Sequence, residues 1–528
     1  HRETLTKRKS FVGQAFEALQ MAGYGPASAA VARATLRSKV QTPHMQQFVQ
    51  DWQQTTLLAR TGDQDALGRM EALRTALNTE FAPYSDLLIT PPLSLIEVQQ
   101  TLLQDDEAMI AILPATAQAG EAGGINGLVI AITQRDAAMI EIPLAWSELT
   151  FDILNLHRSL DPGSAEQVAM LRAPLSAVQG DQHNRRAAQF DLSGARRLYD
   201  AFFGAPEIAA IIGDKQTWTI VPYGETLGIP YAALVIDGAV ELGGTAQDLR
   251  AARWLGHERA LQIIPSVTSL KSLRTRQANI DKNGARLAYV GLGDPAFRGE
   301  HGALPAVDTV MLRSAASRAY EVQDLPRLAG TRREVTTLAT LFADENTRIL
   351  LGVDANETNV RALADDGILG NADILHFATH GLLRGAFEGL SEPALALTPN
   401  LSNPDDASDG LLTASEAAQL SISADWVILS ACDTAGGDSL IGSGLGGLVQ
   451  GFFAAGARNL LVSHWRVDDQ AAETLITKTV ATSKAGLDKA EALRKAMKDL
   501  ANDPSRDNSR LPNSHPSIWA PFVLIGSG

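Results

Sequence analysis

The length, composition and charge of this chain are those of a large globular protein: it has 528 residues, of which 45% are hydrophobic and 20% are charged. At about 150 residues per domain, this length predicts roughly three domains with enough apolar residues for a well-packed core. The formal net charge of −15 argues against a partner that is nucleic acid or an anionic membrane surface.

The cysteine count and the hydropathy pattern bear on the cellular compartment of the protein and on whether it spans a membrane. With a single cysteine the chain cannot form an internal disulfide, so nothing points to an oxidising compartment and we expect a cytoplasmic protein. No apolar run reaches about 18 residues, so no membrane-spanning helix is predicted. Because the first residue is His1 rather than methionine, we expect the chain to be part of a longer protein.

Residues 1–95 have the apolar spacing of helices, in which Phe11, Ala15 and Leu19 recur at helical intervals. This spacing is typical of a helical hairpin that packs on another part of the protein, or of the end of an array of helical repeats. After a first helix that contains these three residues, further helices are predicted over residues 27–40, 45–60 and 65–81.

Residues 96–284 are predicted to form a first α/β domain. The glycine-rich string EAGGING, residues 121–127, lies between two strand candidates and predicts a hairpin. The predicted strands are 108–113, 127–133, 138–142 and 217–221, and the predicted helices are 146–159 and 192–203.

Residues 285–528 are predicted to form a second α/β domain, in which apolar strands alternate with helices. Such alternation predicts a mostly parallel sheet covered by helices on both faces, with sites outside the carboxyl ends of its strands. The residues Thr413 and Glu416 have the spacing of a capping box. The predicted strands are 286–291, 347–351, 372–379, 425–430, 458–463 and 519–525, and the predicted helices are 331–342, 356–364, 440–455, 469–481 and 488–500.

Two residues that can perform nucleophilic catalysis follow two of these strands. Cys432, in the string LSACDTAGG, and His380, in HFATHG, are 52 residues apart (432 − 380). A cysteine with a histidine about 50 residues upstream, each just past a strand, has the spacing of caspases. The alternative is that Cys432 is a small buried hydrophobic residue, which is common for a free cysteine.

If Cys432 and His380 form a dyad, the imidazole accepts the thiol proton and the thiolate attacks a peptide carbonyl. The backbone N–H groups of Gly381 and Cys432 are then candidates for the oxyanion hole, because a glycine lets the substrate approach its amide closely. The alternative for His380 is a histidine whose hydrogen bonds simply complete the end of a strand.

The string HFATH places His376 and His380 at the spacing of a zinc-peptidase motif. That motif requires a glutamate after the first histidine and a helical segment, whereas this segment has Phe377 and reads as a strand. We therefore predict no metal at this pair, and no cofactor for the chain.

A glycine pattern of the kind found in dinucleotide-binding loops follows the cysteine. Gly442, Gly444 and Gly447 satisfy G-x-G-x-x-G, but a loop of about ten residues separates them from the preceding strand. We interpret these glycines as residues that allow a helix to pack closely on the sheet.

Asp468 and Asp469 follow the predicted strand 458–463 and allow two interpretations. Aspartate favours the N-cap of a helix, and a helix is predicted from residue 469. The alternative is that both carboxylates belong to the wall of a substrate pocket.

These segments together resemble the CHAT family of caspase-like peptidases, which are relatives of separase. The resemblance extends from about residue 90 to the end of the chain. It is carried by ILHFATHG (374–381), DGLLTASEAAQL (409–420), WVILSACDTAGG (426–437) and HPSIWAPFVLIG (515–526), with YVGLGDPAF (289–297), LPRLAGTRREV (325–335), TIVPYGETLGIPYAAL (219–234) and the segment 444–469 in support.

The resemblance implies a caspase-like α/β fold in which His380 and Cys432 are catalytic and the first α/β domain is an inactive caspase-like domain. It also implies tetratricopeptide repeats upstream, which fits a helical region over residues 1–95. In separase-like relatives, acidic groups after the strand that ends near Trp465 receive a basic substrate side chain. The expected pocket therefore contains Asp469, with Asp468 or Trp465 beside it, and favours cleavage after Arg or Lys. The alternative is that Arg466, at the position of another of those acids, points into the pocket and favours an acidic or apolar residue.

Three functions remain open at this point. The first is a cysteine endopeptidase that is latent, cleaves a specific protein and is activated by a partner that binds the N-terminal helices. The second is a catalytically silent scaffold of the same fold, against which the presence of both His380 and Cys432 argues. The third is an acyltransferase or another thiol hydrolase with the same dyad.

Overall fold

The computed structural model describes most of the α/β part of the chain and part of the N-terminal helical region. The described residues are 2–22, 26–39, 48, 51, 55, 64–79, 92–115, 127–160, 190–237, 246–278, 287–297, 322–342, 346–386, 390–400, 408–431, 446–465, 467–507 and 511–528.

Sixteen strands are present in the described residues. They are β1 (Glu107–Leu113), β2 (Leu128–Ile132), β3 (Ala137–Glu141), β4 (Thr217–Pro222), β5 (Val235–Asp237), β6 (Arg253–Trp254), β7 (Ala260–Ile263), β8 (Leu287–Pro295), β9 (Thr347–Gly352), β10 (Ala372–Ala378), β11 (Gly381–Leu382), β12 (Ala394–Ala396), β13 (Leu411–Thr413), β14 (Trp426–Ser430), β15 (Asn459–Ser463) and β16 (Phe522–Ile525).

Eleven of these strands form one sheet in the order β3-β2-β1-β4-β7-β16-β15-β14-β10-β8-β9. Seven neighbouring pairs are parallel, and the pairs β3-β2, β2-β1 and β16-β15 are antiparallel. The inner strands are buried on both faces, as parallel strands covered by helices must be. The predicted class, α/β with a mostly parallel sheet flanked by helices, is confirmed.

The two α/β halves predicted from the sequence share this sheet. Strands from residues 107–263 lie on one side and strands from residues 287–525 on the other, and the two sets meet where β7 pairs with β16. The junction is narrow: Ile263 is in register with Ile525, and the Gly526 N–H donates to the Ile263 carbonyl at 2.9 Å. The first half therefore adds its strands directly to those of the second half.

Helices cover the sheet on both faces. They are α1 (Arg2–Ala22), α2 (Pro26–Lys39), α3 (Gln64–Thr79), α4 (Leu95–Glu97, continued by a π turn over Val98–Leu102), α5 (Trp146–Leu160), α6 (Leu192–Phe203), α7 (Pro206–Ile212), α8 (Ala246–Ala251), α9 (Leu255–Glu258), α10 (Val267–Ala278), α11 (Ala329–Thr340), α12 (Glu357–Asp365), α13 (Ala414–Ala417), α14 (Gly447–Ala455), α15 (Asp469–Lys484), α16 (Lys489–Ala501) and α17 (Pro516–Trp519).

The N-terminal helix α2 packs against two helices of the α/β part. It lies against α10, and also against α14, the first described element after Cys432. Small side chains make this close approach possible, because Ala27, Ala30 and Val31 of α2 are buried in the main core. The Ser28 hydroxyl also donates to the Pro265 carbonyl at 3.1 Å.

One predicted strand is wrong in part. Residues 519–525 were expected to be a continuous strand, whereas α17 occupies Pro516–Trp519 and β16 begins at Phe522. The helix forms because His515 caps it through the Ser517 N–H and Pro516 stands at its first position. Apolar residues alone do not distinguish such a buried turn from a strand.

Candidate active site

His380 lies at the edge of the sheet where four parallel strands end. The strands β8, β10, β14 and β15 are neighbours and run in the same direction, so their carboxyl ends lie side by side. Ala378, the last residue of β10, is in register with Gly293 of β8 and with Ser430 of β14. The predicted position of His380 past a strand end is thus the observed one.

The imidazole of His380 is held from two sides. Its Nε2 lies 2.7 Å from the Pro326 carbonyl oxygen, and its ring contacts Phe297 with centroids 5.6 Å apart. A carbonyl oxygen can only accept a hydrogen bond, so Nε2 carries a proton. In the neutral ring Nδ1 is then the basic nitrogen.

Cys432 itself lies outside the described residues, and the chain is described up to the preceding residue. Ala431 is fixed through its carbonyl oxygen, which accepts a hydrogen bond of 2.6 Å from the buried Ser463 hydroxyl of β15. In the sequence, His380 and Cys432 each come two residues after the in-register pair Ala378 and Ser430.

Gly381, the other predicted oxyanion-hole residue, begins the short strand β11. This strand pairs antiparallel with β12, with Gly381 opposite Leu395, in a separate sheet of order β11-β12-β13. The Ala396 N–H donates to the carbonyl of His380 at 2.9 Å. The backbone on both sides of the His380–Gly381 peptide is therefore fixed by strand pairing.

Trp465, predicted to lie beside the substrate pocket, is almost completely buried. Its indole N–H donates to the Ser517 carbonyl at 3.0 Å, and its ring stacks on His464. These contacts anchor the segment that follows β15.

The two aspartates that follow Trp465 have different surroundings. Asp468 caps α15 by accepting from the Ala471 N–H at 3.1 Å, and its carboxylate also pairs with Arg506 at 3.0 Å. The N-cap interpretation therefore describes this residue. Asp469 is exposed, and its carboxylate lies against the backbone of Gly330 in α11, where an added methyl carbon would come within 2.9 Å of it.

Asp294 and its two arginine partners are prominent at the same edge, and the sequence reasoning did not single them out. Asp294 is the second-last residue of β8, and its fully buried carboxylate accepts hydrogen bonds from Arg327 and Arg332. The hydrogen bond from Arg327 lowers the pKa of Asp294, burial opposes this, and Arg332 adds to the lowering. The strings GDPAF and LPRLAGTRREV contain these residues. The sequence therefore shows both motifs, but it does not show that the aspartate of the first pairs with the arginines of the second.

His376 of the HFATH string is buried within β10 and points into a hydrogen-bonded group of three side chains. Its Nδ1 lies 2.8 Å from the Tyr289 hydroxyl and its Nε2 lies 2.8 Å from Glu334. Burial, and then the charge of Glu334, raise the pKa of Tyr289 well above 10. In the part of the chain that the structure describes, no group of three or more His, Cys, Asp or Glu residues has the arrangement of a metal site.

Gly447, the last glycine of the G-x-G-x-x-G string, is the first residue of α14. An added Cβ there would lie 3.1 Å from Pro393, which is tight. This glycine thus permits close packing, as interpreted from the sequence, whereas Gly442 and Gly444 lie outside the described residues.

A family model described as the CHAT domain matches residues 193–527, a range that includes both His380 and Cys432. The chain belongs to the CHAT domain family. The match begins in α6 and ends in the last residues of the chain, so it takes in both halves of the CHAT sheet from β4 onward.

Two curated relatives of this CHAT protein are tetratricopeptide repeat protein 28 from Mus musculus and from Homo sapiens. They are 33% and 32% identical to it over 192 residues. Each match covers 30% of this chain and 7% of the relative, so the chain spans only a small part of these relatives.

Three solved structures are similar to this CHAT protein at low sequence identity. Two are Saccharomyces cerevisiae separase–securin complexes, with TM-scores of 0.42 and 0.39, identities of 11% and 9%, and coverage of 82% and 84% of this chain and 30% and 32% of those chains. The third is the Arg-specific cysteine proteinase gingipain R, with a TM-score of 0.36, 11% identity, and coverage of 63% of this chain and 67% of that chain.

None of the helices in the described ranges combines the length and the apolar character needed to cross a bilayer.

Proposed function

We propose that this CHAT protein is a cysteine endopeptidase in which His380 and Cys432 form the catalytic dyad. The observation that supports it most is the state of His380. The hydrogen bond from Nε2 to the Pro326 carbonyl leaves Nδ1 as the base, on a strand in register with the strand that leads to Cys432.

The dyad would cleave a peptide bond in two steps. In the first, Nδ1 of His380 takes the Cys432 thiol proton, the thiolate attacks the scissile carbonyl carbon, and the proton passes to the departing amine. The product is a thioester on Cys432. In the second, His380 takes a proton from water, the hydroxide attacks the thioester, and the proton returns to the sulfur as the acid leaves.

The negative oxygen that forms in each step requires hydrogen-bond donors. The N–H groups of Gly381 and Cys432 are the proposed donors. Strand pairing around the His380–Gly381 peptide supports this role, because fixed donors cost no reorganisation when the charge develops. The Ser463 hydrogen bond to the Ala431 carbonyl supplies similar support next to Cys432.

For the substrate we propose a protein segment with Arg or Lys at the cleaved position, recognised by Asp469. This carboxylate is exposed, whereas that of Asp468 is engaged by Arg506 and by the start of α15. Asp469 lies against Gly330, and Gly330 is four residues after Pro326, which contacts His380. The exposed carboxylate of Asp469 can bind a guanidinium of the substrate through two charge-assisted hydrogen bonds.

We further propose that the peptidase is latent and that a partner activates it through the N-terminal helices. The contact that supports this is the packing of α2 on α14. Residues 431–446 connect β14 to α14, so a shift of α2 can be transmitted to the segment that carries the nucleophile. This proposal requires only that the position of α14 change when α2, which packs on it, moves.

Cleavage of a peptide library, read by mass spectrometry, tests the proposed function with the wild-type chain, Cys432→Ala and His380→Ala. Because the enzyme is proposed to be latent, we expect slow basal cleavage by the wild-type chain alone, none by Cys432→Ala, and a basal rate reduced by about 10²- to 10⁴-fold in His380→Ala. Undiminished cleavage by Cys432→Ala would rule out the dyad. Transfer of acyl groups to amines without hydrolysis would favour an acyltransferase, and a chain silent with every partner would favour a scaffold.

A further inference from the structure

Asp294 has an unusual backbone conformation for a residue at the edge of an active site. Its φ is 48°, and within the described residues no other non-glycine residue has a positive φ. Such a conformation is strained for most side chains and persists only where the surroundings hold it. Aspartate adopts this conformation more readily than most residues, so the feature that points to a specific role is the fully buried carboxylate held between two arginines.

The hydrogen-bond partners of Asp294 that lie in the described residues belong to one segment of the chain. Its Oδ1 accepts from Arg327 Nε at 2.7 Å, and its Oδ2 accepts from Arg327 Nη2 at 2.8 Å and from Arg332 Nε at 2.7 Å. Its backbone N–H donates to the Thr331 hydroxyl at 2.7 Å, and that hydroxyl donates to the Leu328 carbonyl at 2.7 Å. One buried residue thus fixes the chain from Arg327 to Arg332.

The residue immediately before Arg327 is Pro326, whose carbonyl accepts from His380 Nε2. Residues 326–328 belong to no helix or strand, since α11 begins at Ala329, and proline has no N–H to donate. Among the described residues, no strand ladder or helical turn therefore holds the Pro326 carbonyl in place. The two-pronged bond of Arg327 to Asp294 is the anchor adjacent to it.

We propose that Asp294 and Arg327 are positioning residues for His380. The carboxylate of Asp294 holds the Arg327 guanidinium, Arg327 holds the Pro326 carbonyl, and that carbonyl sets the orientation and the protonated nitrogen of the imidazole. The inference rests on the proposed function, because it assigns a catalytic role to His380. Neither positioning residue is proposed to touch the substrate.

The geometry predicts that the positioning of His380 depends on the shape of the side chains at positions 327 and 294 and not on their charge alone. Lysine keeps the charge of Arg327 but lacks the planar fork that meets both carboxylate oxygens. Asparagine at position 294 tolerates the positive φ, removes the negative charge and replaces one of the two acceptor oxygens with an NH2 donor. The side chain of Arg327 is 53% exposed, so its replacement leaves no cavity in the core.

Arg333 provides a matched control for these variants. It lies in the same first turns of α11 as Arg332, and it pairs at the surface with Glu473 of α15 instead of with Asp294. Arg333→Lys keeps the charge and Arg333→Ala removes it, and both leave the Asp294 cluster intact.

Two measurements test the proposal on Arg327→Lys, Arg327→Ala, Asp294→Asn and the Arg333 controls. The first is kcat and KM on a cleaved peptide, and the second is the solvent exchange of the His380 Nε2 proton by nitrogen-15 NMR, assigned with His380→Gln. We expect kcat to fall roughly 10- to 100-fold in all three test variants with little change in KM, and the protected Nε2 proton to be lost. The controls should match the wild type in both.

The two measurements separate this proposal from the proposed function. A chain without peptidase activity and with a Cys432 thiol of ordinary reactivity, in which the Nε2 proton is protected in the wild type and exposed in Arg327→Ala, would leave the positioning role intact and refute the peptidase. An active chain in which Arg327→Lys and Arg327→Ala keep both kcat and the protected proton would overturn the positioning role. A rise in kcat in Arg327→Ala would do the same. If Asp294→Asn fails to fold, the Arg327 variants decide.

Discussion

The imidazole Nε2 of His380 lies 2.7 Å from the carbonyl oxygen of Pro326, 54 residues earlier in the chain. This bond joins the end of β10 to the irregular segment before α11, and it fixes which nitrogen of the ring can act as a base. The His380 ring is therefore oriented both by β10, which precedes it in the chain, and by the segment that contains Pro326.

Ser463→Ala should impair the side of the site that carries Cys432. The Ser463 hydroxyl is completely buried and donates to the Ala431 carbonyl, so its removal leaves a buried acceptor without that donor. We expect a loss of about 1–3 kcal/mol in the free energy of unfolding and a reduced kcat. Thr474→Ala, which removes an exposed hydroxyl that donates to the Gln470 carbonyl within its own helix, is the matched control for urea unfolding and peptide cleavage. Equal kcat for Ser463→Ala and wild type would show that Ala431 needs no such anchor.

Asp469→Ala should change the specificity of the enzyme and leave its chemistry intact. If Asp469 receives a basic side chain, the variant loses its preference for Arg over Leu at the cleaved position, mainly through kcat/KM. Fluorogenic peptides that differ only at that position measure this, with Gln470→Ala as the neighbouring exposed control. A preference for Asp or Leu that Asp469→Ala leaves unchanged contradicts the basic pocket.

Ala30→Leu should uncouple the N-terminal helices from the site. Ala30 is completely buried on α2, where the added carbons have no space, and overpacking of this kind costs about 1–3 kcal/mol. We expect lower peptidase activity at temperatures where the variant is still folded, because α2 covers α14. Ala29→Leu, at a half-buried position of the same helix, should have a smaller effect. Full activity in Ala30→Leu, and in a chain lacking residues 1–80, would argue against transmission through α2.

A pH dependence of stability is expected from Glu357, the first residue of α12. Burial, and then the charges of Glu416 and Asp409, raise the pKa of Glu357 to about 8, against a bond from the Gly410 N–H and the charge of Arg361. Because the folded state binds this proton more tightly than the unfolded state, the stability it contributes is complete below about pH 4.5. It is lost as the pH rises towards 8.

Glu357→Gln mimics the protonated side chain and isolates this effect. We expect the variant to be more stable than the wild type near pH 8, on the order of a few kcal/mol, and nearly equal to it near pH 4.5. Urea unfolding at several pH values measures this, with the exposed Glu207→Gln as control. A constant difference across this range would mean that Glu357 is ionised in the folded protein.

Local sequence predicts the elements and caps of this chain better than it predicts contacts between distant residues. The capping box of Thr413 and Glu416 forms as predicted, and Asp468 caps α15, because both depend on residues within one turn. The contact of Pro326 with His380 and that of Asp294 with Arg327 join separate segments. Only the folded sheet brings these pairs together, so the spacing of residues along the chain contains no signal for them.

The reactivity of Cys432 tests the central claim most directly, because the chain has no other thiol and no substrate is needed. The rate constant for alkylation by iodoacetamide is measured from pH 5 to 10 in the wild type and in His380→Ala, with the modified residue identified by mass spectrometry. We predict rapid alkylation of the wild type well below the ordinary thiol pKa of about 8.5, and an ordinary profile in His380→Ala. Identical profiles for the two proteins would contradict activation of Cys432 by His380.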